Sequence, residues 1–445
     1  MVGGPRHGRP GAPQGPGLLA CALLLALAGC CLAADTEDID TLVPAPYTLE
    51  RRTVLSAGYR LAVFRLGRAG GPSPAGRPAL LLHHGWVFSA SAWLPLPADQ
   101  GAPYLLFEEG YDVWALSDRG TTYSRSHETL SPAGKDFWRY SLDDLALVDL
   151  PAVVDAVRGW TGQAKIATIS WSAGGLQTFA WGAHDPSAAA AALCAHVTLG
   201  PVVFPQRLKA PLLAGLLGSG ADRVVLPLDL QRLGPGVNEY VLGPLCAAQG
   251  HACDAALGGF YGPPAVADKA TARRIAAVTW PSTLGTPVLA QLARSYRLGP
   301  LKPVLLRYDY GVDCREQGEG SPPHLDDPSA VPPSPPPPAP PPGAGWGLGK
   351  RVLPDWDGTC NRKVYGSDLP PPYDLTRYDV PTTIIGGDLD IVSVPWDREH
   401  VAEAIRTQGA LRAQHSLSAH AHLDFTFSDA RAWLGLALEA IRGSC

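Results

Sequence analysis

The chain has 445 residues, of which 46% are hydrophobic and 17% charged, the composition of a globular protein with room for one large core and an accessory domain. Its net charge of -5 offers no basic footprint, so nucleic acid is excluded as an expected partner. The 45 prolines and 49 glycines are many for one compact domain, and much of the proline falls in a single stretch.

The N-terminus carries Arg6, His7 and Arg9 without an acid, then an apolar run from Leu18 to Ala28, then small residues around Cys31, Ala33 and Ala34. That order matches a cleavable secretory signal over residues 1–34, cut after Ala33 or Ala34. Residues 18–34 are also almost long enough to stay in a bilayer as an anchor. No later run has the length or apolarity of a membrane span. Cys21, Cys30 and Cys31 would leave with the signal, and Cys194, Cys246, Cys253, Cys314, Cys360 and Cys445 remain. An even number in an exported chain permits disulfides, although sequence does not choose the pairs. Cys246 and Cys253 are close enough for a small loop, and Cys314 with Cys360 would close the base of the proline-rich stretch. None has the spacing of a zinc site.

Tyr47 to Arg65 reads as an antiparallel hairpin turning at Ala57-Gly58. Ala79 to Leu82 is wholly apolar, as suits a strand covered on both faces, and ends in His83-His84-Gly85-Trp86. The paired histidines lack further ligands at metal spacing and read as structural. Tyr111 to Leu116 is the next strand. Ser141 and Asp144 have capping-box spacing, and the helix they open, with a kink at Pro151, ends at Gly162.

Ile166 to Ile169 then reads as a buried strand that breaks abruptly at Ser170-Trp171-Ser172-Ala173-Gly174-Gly175 before a helix resumes at Leu176. A serine with small residues at minus two and plus two has the form of a nucleophile elbow, in which a tight strand-to-helix turn holds the hydroxyl out at the sheet's edge. Ser172 is the candidate nucleophile. The usual glycine at minus two is Ser170 here, small enough for the turn at some conformational cost.

His196 to Leu199 is a further buried strand, after which the alternation stops at Gly200. Strands alternating with helices predict a mostly parallel sheet. Pro201 to about Arg297 reads as a mostly helical insertion without a clear strand, and Ser321 to Gly345 as polyproline II or disordered chain. Val380 to Ile385 is a strand followed by Gly386-Gly387-Asp388-Leu389-Asp390-Ile391-Val392. Asp390 is the candidate orienting acid because it precedes the apolar Ile391-Val392, with Asp388 as the alternative. In Ser418-Ala419-His420-Ala421-His422-Leu423-Asp424-Phe425, His422 is the candidate base, with His420 as the alternative and a His-x-His metal pair as a poorer third. Serine, acid and histidine follow in the chain order of α/β-hydrolases.

With these segments assembled, the chain resembles the acid lipase family, the group containing gastric and lysosomal acid lipase. The matching stretches include Leu81 to Gly85 with Ser89 to Trp93, Gly110 to Trp114 with Arg119-Gly120, Phe137-Trp138 with Ser141, and Asp149 to Ala152. Thr161 to Gln163, Gly387 to Asp390 with Pro395 and Asp397, and His422 to Phe425 extend them. The resemblance implies an α/β-hydrolase fold with a mostly parallel sheet and an inserted, mainly helical cap containing a lid. The core would occupy residues 35–200 and 376–445 and the cap 201–375, with the proline-rich part at about 318–346. It implies hydrolysis of acyl esters of neutral lipids, at a lipid–water interface, in the secretory pathway or a lysosomal lumen, without metal or organic cofactor. Position by position, Ser172 resembles the nucleophile, Asp390 the acid and His422 the base, with the amides of Trp86 and Ala173 holding the oxyanion. The family's cap disulfide would correspond to Cys246 and Cys253. Two features depart from the pattern: the family's elbow is usually Gly-His-Ser-Gln-Gly, where this chain has Ser170-Trp171-Ser172-Ala173-Gly174, and the proline-rich insertion is foreign to it. Ester or acyl-transfer chemistry on small or non-lipid substrates is the alternative, and a binding protein that kept the fold is a third reading.

Overall fold

The computed structural model describes residues 38–222, 232–233, 246, 249–299, 302–310 and 359–445. The expected signal at 1–34, the proline-rich stretch at 318–346 and Cys314 lie outside them. Eight strands form one sheet: β1 (Tyr47–Ser56), β2 (Tyr59–Arg68), β3 (Ala79–His83), β4 (Asp112–Leu116), β5 (Ile166–Trp171), β6 (Leu193–Leu199), β7 (Thr382–Gly387) and β8 (Leu411–Leu417), in spatial order β1-β2-β4-β3-β5-β6-β7-β8. β1 and β2 are antiparallel, turning at Ala57-Gly58, and β2 meets β4 antiparallel. From β4 to β8 every pairing is parallel. Parallel neighbours need crossovers, and helices on both faces make the central strands two-sided core. Hence β3, β4, β5 and β7 are buried at every residue.

The helix after Ser141 opens with the expected capping box, Ser141 and Asp144 bonding reciprocally. The helix does not run as one unbroken α-helix through Pro151. A π-turn over Leu145–Asp149 precedes the α-helix Leu150–Thr161, so Pro151 falls in the first turn, where its missing N–H costs nothing. Gly162 closes that helix in the left-handed region at φ 70. The edge strand β8 has no apolar run. Its residues alternate between half-buried and exposed, as an edge with one solvated face does.

Between β6 and β7 lies the insertion. Its described elements are mainly helical, with helices at Pro211–Gly218, Gly250–Tyr261, Lys269–Thr279, Thr286–Arg297 and Thr359–Tyr365. One strand pair departs from the expectation of none: Arg232–Leu233 lies antiparallel to Leu284–Gly285. Cys246 pairs with Cys253 inside the insertion, and Cys194 on β6 pairs with the C-terminal Cys445. Cys360 is also disulfide-bonded. Among the described residues no helix is long and apolar enough to cross a membrane.

Candidate active site

Five connections leave the carboxyl ends of β3, β5, β6, β7 and β8 and converge, as ligand sites do at that edge of a parallel sheet. Ser172 stands between β5 and the helix Ala173–His184 with φ 56 and ψ -118, a strained conformation that aims its side chain out of the turn. Ser170 is not the strained residue. It stays in strand geometry, outside the left-handed region, and its hydroxyl meets His196 Nε2 at 2.7 Å. The cost expected at minus two is therefore absent, because the turn's strain falls on Ser172.

His422 lies beyond β8 and is wholly buried. Its Nε2 is 2.9 Å from Ser172 Oγ, and its Nδ1 is 2.8 Å from Asp390 Oδ2. The other oxygen of Asp390 accepts the amides of Val392 at 2.9 Å and Ser393 at 2.8 Å, which fixes the carboxylate plane. Asp388 is exposed, with its amide on Leu417 O. His420 turns away, Nδ1 on its near neighbour Ser418 O. Gly200, after β6, has φ +51, and a Cβ there would stand 3.0 Å from Asp390 Oδ2 and 3.3 Å from His422 Nδ1. Only glycine fits both the backbone and the gap.

The turn after β3 approaches from the other side. A Cβ at Gly85 would lie 3.1 Å from Ser172 Cβ, so the missing side chain lets the turn close on Ser172. Among the described residues the Trp86 and Ala173 amides donate to no protein acceptor. Burial lowers the pKa of His84. As a neutral ring it donates Nδ1–H to Gly85 O at 2.8 Å and accepts the Asp118 amide on Nε2 at 3.1 Å. Burial would raise Asp118, but the His83 and His84 rings and hydrogen bonds from His83 and Gln177 outweigh it and hold the carboxyl well below its usual range. The paired histidines thus brace the turn. Among the described residues no group of three or more His, Cys, Asp or Glu side chains could hold a metal ion.

The insertion covers this assembly. Tyr261 lies against His422, ring planes 2° apart and centroids at 6.1 Å, while its hydroxyl accepts Trp280 Nε1–H at 2.7 Å. Just beyond, the amides of Val87 and Ser282 segments join: Ser282 N–H donates to Val87 O at 2.6 Å. Asp424 accepts the amides of Ala265, Val266 and Ala267 from the insertion and of Ala421 from the histidine loop, all at 2.8–3.1 Å. Sequence reading passed over Tyr261 and Gly200, since neither has a local signature. Asp424 was visible only as part of the stretch that ends His422-Leu423-Asp424-Phe425.

Residues 78–244 match the alpha/beta hydrolase fold family. The chain has the α/β-hydrolase fold, and the sequence relatives that follow are lipases. Triacylglycerol lipase 2 of Arabidopsis thaliana is 41% identical over 135 residues, 29% of this chain and 32% of that protein. Lipase member K of Homo sapiens is 34% identical over 157 residues, 35% and 39% of the two chains. The gastric triacylglycerol lipase of Mus musculus is 33% identical over 164 residues, 36% and 41%. The matched part thus spans about a third to two fifths of the length of these relatives. In this α/β-hydrolase the matched 78–244 region holds the turn after β3 and the Ser172 elbow, while Asp390 and His422 lie downstream of it.

Proposed function

We propose that this chain is a serine hydrolase that cleaves carboxylic esters of neutral lipids, with Ser172 as nucleophile, His422 as base and Asp390 as orienting acid. The observation that carries the reading is the unbroken hydrogen-bond chain from Ser172 Oγ through both nitrogens of His422 to Asp390. His422 Nε2 takes the serine proton as Oγ bonds to the ester carbon, and the carbonyl π electrons move onto oxygen. The amides of Trp86 and Ala173 receive that oxyanion. Each such donor contributes on the order of a hundredfold or more in rate. Asp390 accepts the Nδ1–H of His422, which keeps the ring in line and stabilises the imidazolium. Collapse breaks the acyl C–O bond, His422 returns the proton to the leaving alcohol, and water enters by the same relay to release the acid.

Residues 201–375 act in this reading as the cap over the acyl site, and a secretory or lysosomal lumen is the compartment that the disulfides suit. The lipase names of the sequence relatives support a lipid ester as substrate. The altered elbow favours testing short and non-lipid esters beside them, because Trp171 and Ala173 replace residues next to the nucleophile. Labelling with a fluorophosphonate and mapping the modified peptide tests the chemistry: the label should sit on Ser172, and Ser172→Ala should abolish p-nitrophenyl ester turnover while leaving the thermal melt unchanged. Turnover by the Ala variant would refute the mechanism. Rates on dispersed triacylglycerol, steryl ester and short soluble esters then rank the substrates.

A further inference from the structure

Trp171 departs most from the expected elbow, and the proposed chemistry gives it no task. It is wholly buried, and its indole Nε1–H donates to the backbone carbonyl of His422 at 3.1 Å. Its ring lies 5.5 Å from the His422 imidazole and 4.9 Å from Phe88, centroid to centroid. A Cβ at Gly85 would meet its Cε3 at 3.0 Å. One side chain, a single peptide bond away from Ser172, therefore touches both the loop that carries the base and the turn after β3.

We propose that Trp171 is a positioning residue, its indole N–H fixing the His422 backbone relative to Ser172. This deepens the reading of Ser172, His422 and Asp390 as the catalytic set and rests on it. His422 needs such an anchor because it is carried on a loop beyond the edge strand β8, just after Ala419 in the left-handed region at φ 57. Among the described residues its carbonyl accepts from no group other than the Trp171 indole. A buried carbonyl deprived of its donor draws the loop toward another arrangement. Shifts of about 1 Å in a catalytic group are enough to slow a reaction severely. Asp390 controls the tilt of the imidazole through Nδ1; Trp171 controls where the residue that bears it stands.

Two variants separate the donor from the ring. Trp171→Phe keeps an aromatic ring without the N–H, and Trp171→His restores a ring N–H in a smaller group. The kcat and KM for a soluble p-nitrophenyl ester, the rate of fluorophosphonate labelling at Ser172 and the thermal melt are measured for both. Trp171→Phe should lower kcat and the labelling rate about tenfold with KM within about twofold, and Trp171→His should recover most of that loss. A folded Phe variant with wild-type rates, or a His variant as slow as Phe, overturns the inference. If Phe does not fold, the His variant decides alone: rates within about threefold of wild type support the donor, and a tenfold loss overturns it. Wild-type protein that takes no label on Ser172 would instead bring down the hydrolase reading, and this inference with it.

Discussion

The imidazole of His422 and the phenol of Tyr261 lie parallel, 2° apart, although one belongs to the sheet's last loop and the other ends a helix that precedes the last two strands in the chain. The hydroxyl of Tyr261 is held by Trp280, so the ring cannot swing without breaking a buried hydrogen bond. Removing the ring and removing the hydroxyl should therefore act differently. Tyr261→Ala should reduce kcat on a soluble ester roughly tenfold, since its ring lies parallel to the His422 imidazole. Tyr261→Phe should leave kcat within about twofold but lower stability by about 1–3 kcal/mol, because the Trp280 indole N–H is left unpaired. Steady-state kinetics and urea unfolding of both variants check this, and equal kinetic losses would count against it.

Gly200→Ala tests how tightly Asp390 and His422 are spaced. The added methyl would press on Asp390 Oδ2 at 3.0 Å and His422 Nδ1 at 3.3 Å, in a backbone conformation that costs any L side chain about 1 kcal/mol. The loss in kcat should be about a hundredfold, far larger than the shift in urea midpoint suggests. Wild-type kcat in a folded variant would mean that the pair has slack.

Asp424 joins the insertion to the histidine loop through four amides. Asp424→Ala leaves those four donors without their acceptor and, since Ala265 and Val266 are exposed to water, should cost about 1–3 kcal/mol. Hydrogen exchange localises the effect: amides of Ala265 to Ala267 should exchange faster while the central strands keep their protection. A uniform loss across the core would assign Asp424 a global role instead.

His196 gives the chain a pH-dependent stability. Burial, reinforced by the neighbouring His83, pushes it down from its ordinary 6.5 to about 3, and burial likewise takes His184 to about 4. Between about 3 and 6.5 the unfolded chain binds a proton at His196 and the folded chain does not. Stability contributed by this group therefore rises with pH across that window and is lost as pH falls through it. His196→Gln should flatten the decline in urea midpoint from neutral pH to about pH 5. An unchanged slope would show that the ring is not neutral in the folded state.

Local chemistry made much of this legible from sequence. Ala79 to Leu82 and Ile166 to Ile169 read as two-sided strands because burial on both faces leaves a continuous apolar run, and all of these residues are buried. Ser172 stood out because a strand-to-helix break with small flanking residues has few other uses. The edge strand β8 did not stand out, since one solvated face removes the apolar run. The missing glycine at minus two suggests some conformational cost at Ser170, whereas the turn concentrates its strain one residue before the helix and leaves Ser170 to pair with His196.

By itself, then, the sequence determined the alternation of strands and helices, the place where a long insertion enters, and the short list of polar residues able to do ester chemistry. All of these are properties of neighbours along the chain, set by periodicity and turn chemistry. Only the tertiary structure decided that Asp390 rather than Asp388 faces His422, that His420 turns away, that Gly200 must be bare, and that Trp171, Tyr261 and Asp424 hold the histidine loop from two sides. Those choices depend on distances between segments up to 251 residues apart, and such distances are set by how the sheet's loops and the insertion pack, which no local pattern encodes.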